Sequence, residues 1–270
     1  MRRNAQKGLQ RKMQQEGVSK RKRYTILDNI RGTTLLSMIA YHGTWDLVYL
    51  YGVDWNWYES TAAYIWQQSI CWTFILLSGF CWSLGRKRLK RGLFVSAGGI
   101  LVTLATLIFM WDSRVIFGVL TLLGSCMLLM VPMDKFLRKI VPEIGLFASA
   151  LLFVITRNCN RGYLGFEKWK ILSLPDSLYQ GYITTYLGFP ASDFYSTDYF
   201  SLIPWIFLFL CGYFIYHIFH RRNLLCKLPD MKKLPVANFI GRHSLIVYLL
   251  HQPVLYLLCM VGNLLRNIII

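Results

Sequence analysis

The chain is 270 residues long, 55% hydrophobic and 16% aromatic, with a mean hydropathy of +0.39 and a formal net charge of +17. Such an apolar load excludes an ordinary soluble domain. The basic residues lie in blocks between apolar runs, which orients helices in a bilayer rather than marking a nucleic-acid partner.

Residues 1–23 carry nine Lys/Arg against one acid, Glu16. They read as a basic cytoplasmic arm lying on anionic lipid, ahead of a membrane domain over residues 24–270. They contain no apolar core and do not resemble a cleavable signal. The apolar part of span 1 runs from Gly32 to Tyr51. An aromatic connector with Trp55 and Trp57 leads to span 2, Thr61–Leu84, which holds Gln67 and Gln68. Arg86, Lys87, Arg88, Lys90 and Arg91 stop it. Span 3 covers Gly92–Trp111, and span 4 covers Val115–Val131 and is ended by Pro132. Span 5, Ile140–Thr156, has the weakest pattern, because Pro142 and Glu143 lie inside its start. Residues 157–199 form a long connection rich in Tyr, Asp, Gly and Pro, and loops of that length are usually functional or disordered. Span 6 is Tyr199–Phe219, followed by a basic connector over 220–242. Span 7, His243–Leu265, carries His251 and Gln252 just before Pro253, which is expected to loosen the helix.

These segments predict an all-α fold, a polytopic membrane helix bundle of about seven transmembrane helices. With the N-terminus cytoplasmic and the C-terminus extracytoplasmic, the inner segments hold 23 of the 30 Lys/Arg and the outer segments six. Removing span 5 would place the basic 220–242 connector outside, against the positive-inside bias, so the span is kept. The seven cysteines show no paired metal-ligand spacing. Cys71, Cys81, Cys126, Cys211 and Cys259 sit in apolar runs, so neither a metal site nor a disulfide framework is expected.

The stretch Arg23–Tyr51 carries Asp28, Arg31, His42 and Asp46 within one helix. Ionisable groups in hydrocarbon cost roughly 2.5–3.5 kcal/mol each at mid-helix. Asp28 and Arg31 are three residues apart and share a face, as do His42 and Asp46 four apart. Arg31 and His42 lie about 16 Å apart along the axis on nearly the same side. His42 is the candidate general base or covalent nucleophile, and Asp46 the candidate carboxylate behind its ring. Arg31, steadied by Asp28, suits a phosphate-bearing donor, and Arg86, Lys87 and Arg88 are further candidates for that donor. His251 and Gln252 beside Pro253 are placed in the central cavity. The competing reading is a structural salt bridge and core histidines. A transporter or a non-catalytic binding protein is the rival class, although no internal repeat is visible.

Several motifs resemble a known family. Leu27-Asp28-Asn29-Ile30-Arg31-Gly32, Met38 and Tyr41-His42, with their Arg-x10-His spacing, resemble the first helix of the transmembrane acyltransferases. His42-Gly-Thr-Trp-Asp46, Leu77-Ser78-Gly79, Phe117-Gly118-Val119-Leu120, Asp198-Tyr-Phe-Ser-Leu-Ile-Pro204-Trp205 and Gly241-Arg-His-Ser244 through Tyr248, His251 and Pro253 look similar to the heparan-α-glucosaminide N-acetyltransferase catalytic-domain family, in its small bacterial form. That resemblance implies transfer of an acetyl group from cytosolic acetyl-CoA to an amine or hydroxyl of an extracytoplasmic sugar or glycan. It places Trp205 beside His251 and Gln252 at the substrate cavity, and it implies a bacterial cytoplasmic membrane and no metal. A homodimer is one assembly compatible with it. The chain departs from the lysosomal members, which carry Asn in place of His42 and a catalytic His in the outer connector, where this chain has Asp54 and no His.

Overall fold

A computed structural model describes residues 23–229 and 234–269, with side chains through residue 262. The basic arm up to residue 22, and Lys232 and Lys233 of the basic connector, lie outside the described residues. Each predicted span is occupied by a helix. Helix α1, Thr25–Trp45, continues into a π-helical turn over Asp46–Leu50. Helix α2 spans Thr61–Leu84 and is N-capped by Ser60, whose hydroxyl accepts the Ala63 N–H. Helices α3, Arg88–Phe109, and α4, Val119–Leu137, form an antiparallel pair, followed by α5, Pro142–Thr156. Among the described residues four helices are long and apolar enough to cross a membrane: α3, α4, α7 (Leu202–Arg221) and the 244–262 part of the last helix, α9 (Ser244–Ile269).

The structure departs from expectation at the prolines and in two connectors. Helix α4 runs through Pro132 to Leu137. A proline there removes one backbone donor, but the last turn is held from its side: Asp134 accepts from Arg88 at 2.9 Å, Arg138 at 2.9 Å and the Tyr213 hydroxyl at 2.8 Å. Helix α9 likewise continues through Pro253. Pro142 occupies the first turn of α5, where its missing N–H has no intrahelical partner to lose. The 157–199 connection folds into a hairpin, β1 (Tyr163–Phe166) against β2 (Trp169–Ser173), and a short helix α6, Tyr182–Leu187. The basic connector contains α8, Pro235–Arg242.

The core gathers around α7. Phe209, Tyr213 and Phe214 of α7 pack with Ile75 and Trp82 of α2, Leu122, Cys126 and Met130 of α4, and Phe153 of α5. Missing side chains set how close the helices come. A Cβ on Gly79 would lie 2.0 Å from the Phe209 carbonyl oxygen, and one on Gly212 would lie 2.0 Å from that of Leu76. Gly32 and Gly241 do the same between α1 and α8. These contacts hold α7 on α2 and α8 on α1, and polar residues of α1 and α9 are turned toward each other.

Candidate functional site

The site is built where α1 meets α9. Three-and-four spacing puts His42 and Asp46 on one side of α1, and that side faces α9: a Cβ on Gly43 would lie 3.5 Å from the Leu255 side chain. The rings of His42 and His251 stand 5.1 Å apart at 56°. Asp46, fully buried, opens the π turn and accepts from Gln252 Nε2 at 2.7 Å. Its Oδ2 and the Gln252 Oε1 are buried without a partner among the described residues. Asp46 is therefore bonded to Gln252 and not to the His42 ring.

His251 Nδ1 lies 2.5 Å from the Tyr248 carbonyl oxygen. A carbonyl only accepts, so the proton sits on Nδ1 and Nε2 carries the lone pair. The Tyr248 ring also lies against His251, tilted by 56° with centroids 5.3 Å apart. The His42 ring is half-buried and has no hydrogen bond among the described residues, so its basic nitrogen is not committed.

A cavity of about 370 Å³ leads to this cluster. Arg31 and Arg91 line one end, Tyr248, Val119 and Leu120 the other, with Ser78, Phe74 and Leu123 among the walls. From Met127 to Val119 on α4 the wall extends about 12 Å. His42 is not part of the lining. It lies two ring contacts beyond, behind Tyr248 and His251. Charge at the far end is unbalanced. Asp28 is gripped by Arg23 at 2.5 Å and is 3.8 Å from Arg31. Among the described residues Arg91 donates to the Cys81 carbonyl alone, at 3.5 Å. Arg23 and Arg31 flank the Asp28 carboxylate, and Arg31 and Arg91 line the cavity, where two guanidiniums make a seat for an anion.

Of the expected donor contacts, Asp28 and Arg31 are at this seat. Arg86 and Lys87 are exposed and line no part of the cavity. Arg88 is paired with Asp134 at 2.9 Å and lies over the Trp82 ring at 4.3 Å. Trp205 packs in the core against Phe153, Phe200 and the Arg157 guanidinium, and its ring contacts do not include His251. Sequence reasoning counted Arg91 only as part of a basic stop. The signal was present, because Arg91, Phe94, Val95 and Gly98 share one helical face. Asp198 could not be singled out in its loop, yet its carboxylate receives the Val119 N–H at 3.3 Å and lines a small space together with Tyr248. Among the described residues there is no metal-ligating cluster. Cys159, under the hairpin, has its thiol pushed up to about 11 by burial, which makes it a poor nucleophile.

A helical bundle with apolar spans, and a half-buried pair of histidines behind the end of a cationic cavity, has the make-up of a helical membrane protein. The model of the heparan-α-glucosaminide N-acetyltransferase catalytic family matches residues 23–253, and the chain belongs to that family. No curated protein and no solved structure matches it significantly.

Proposed function

We propose that this chain is an integral membrane acetyltransferase that takes the acetyl group of cytosolic acetyl-CoA and passes it to an amine or hydroxyl of an extracytoplasmic sugar or glycan. One observation carries the reading: the cavity begins at two guanidiniums and ends at a tyrosine in tilted ring contact with His251, which is in turn paired with His42. Arg31 and Arg91 bind phosphate oxygens of the donor, and the thioester arm extends toward Tyr248. His42 then takes the proton from the acceptor as the nucleophile attacks the thioester carbonyl. The C–S bond breaks, the new C–N or C–O bond forms, and the thiolate leaves to be protonated. A short-lived acyl-His42 is the two-step variant of the same chemistry.

The membrane arrangement is part of the proposal. About seven spans are assigned, adding α1, α2 and α5 to the four apolar helices, with the N-terminus cytoplasmic and the C-terminus outside. Pooled Lys/Arg on the inner segments supports this orientation. A bacterial cytoplasmic membrane is the compartment that fits. Purified protein incubated with radiolabelled acetyl-CoA and a panel of amino sugars and neutral glycans should label one acceptor class. Protein that neither binds nor turns over acetyl-CoA would overturn the assignment.

A further inference from the structure

The cavity has a second neighbour that the proposed reaction does not use. A small space of about 10 Å³ is lined by Gly118, Val115, Asp198 and Tyr248. Val115 and Gly118 belong to the connector before α4, and Asp198 ends the 157–199 segment. Tyr248, Val119 and Leu120 line both this space and the larger cavity. Tyr248 is the polar member of that shared wall. It shares the lining of the small space with Asp198, whose Oδ2 takes the Val119 N–H at 3.3 Å. Gly118 is what allows the carboxylate in: a Cβ there would stand 2.9 Å from Asp198 Oδ2. The backbone meets it too, since Phe200 N–H bonds the Phe117 carbonyl at 2.8 Å and Ser196 receives the Ile116 N–H at 2.9 Å. The 157–199 segment is thus clamped to the mouth of α4 with one carboxylate beside the tyrosine.

We propose that Tyr248, anchored by Asp198, is the gate between the donor cavity and an acceptor-side niche beneath the 157–199 segment. With the hydroxyl on Asp198 the ring closes the wall. When that bond is released the ring swings aside, and an acceptor hydroxyl or amine enters from the niche and takes its place on the carboxylate. Asp198 is a positioning residue in the closed state and the acceptor's first hydrogen-bond partner in the open one. This deepens the acetyltransferase reading and rests on it for the identity of what passes. The gate itself does not depend on it.

The test uses the full chain in sealed vesicles and a membrane-impermeant maleimide, with the modified position located by mass spectrometry. Trp169→Cys, in the exposed hairpin, identifies the face that carries the segment. From that face, a Leu123→Cys cavity position should label at least tenfold more slowly than position 169 while Tyr248 is present. It should approach the rate at 169 with Tyr248→Ala. Tyr248→Phe and Asp198→Asn keep the volume and lose the anchor, and should give intermediate rates. Equal labelling at Leu123→Cys with and without the tyrosine ring overturns the gate. Where acetyl-CoA is turned over, the same variants should raise its hydrolysis relative to transfer, because water gains the path. An inert acetyl-CoA assay with gated labelling refutes the acetyltransferase reading and leaves the gate standing.

Discussion

At the residue scale the cost of burying charge explains both what was legible and what was not. Asp28, Arg31, His42 and Asp46 stood out because they interrupt one apolar run, and the structure places two at the cationic end and two at the α1–α9 contact. Asp46 was legible as a buried acid, but its partner, Gln252, lies 206 residues away and could not be read from spacing on α1. Arg91 was hidden in a basic run whose other members are mostly solvated or paired. The distinction has a kinetic consequence. Charge-assisted bonds are worth about 1.5–3 kcal/mol, so Arg31→Ala and Arg91→Ala should each raise KM for acetyl-CoA by about ten- to a hundredfold. Arg86→Ala and Lys87→Ala should leave it within about twofold, since exposed charges contribute little. Steady-state kinetics on the four variants checks the contrast. Equal effects at all four would mean that the run acts as a diffuse field.

At the element scale, helix boundaries followed apolar periodicity, while breaks assigned to prolines failed because tertiary partners hold the chain beyond them. Asp134 is the example. Three donors converge on it from α3, α4 and α7, and nothing in the local sequence announces them. Asp134→Ala leaves Arg88 and Arg138 without their carboxylate and should destabilise the bundle by about 3 kcal/mol, less to the extent that water reaches the guanidiniums. Thermal unfolding in detergent measures this, and an unchanged midpoint would show the cluster to be ornamental. Glycine contacts give a sharper contrast. Gly79→Ala forces a methyl against the Phe209 backbone and should cost about 1–3 kcal/mol or more, because backbone cannot step aside as a side chain can. Gly181→Ala, with open space around the new methyl, should be close to neutral.

At the scale of the whole molecule, short elements such as the hairpin rest on partners elsewhere in the chain that no local pattern announces. The hairpin is pinned by Glu167, which accepts from the Tyr64 hydroxyl of α2 at 2.8 Å. Beside it, buried Arg157 bonds Gln68 of the same helix at 2.8 Å. Length alone therefore misjudged the 157–199 segment as a loop. Reporter fusions after Leu137 and Arg222 should read as cytoplasmic, and one after Gly188 as external; an external signal after Arg222 would remove α5 from the set of spans. Donor and acceptor reach His42 from opposite ends of the bundle in this account, and the base is what joins them. The decisive measurement is acetyl transfer by purified His42→Ala alongside a binding assay for acetyl-CoA. Transfer should fall by about 10²–10⁴-fold with donor affinity retained, whereas a wild-type rate would contradict the account.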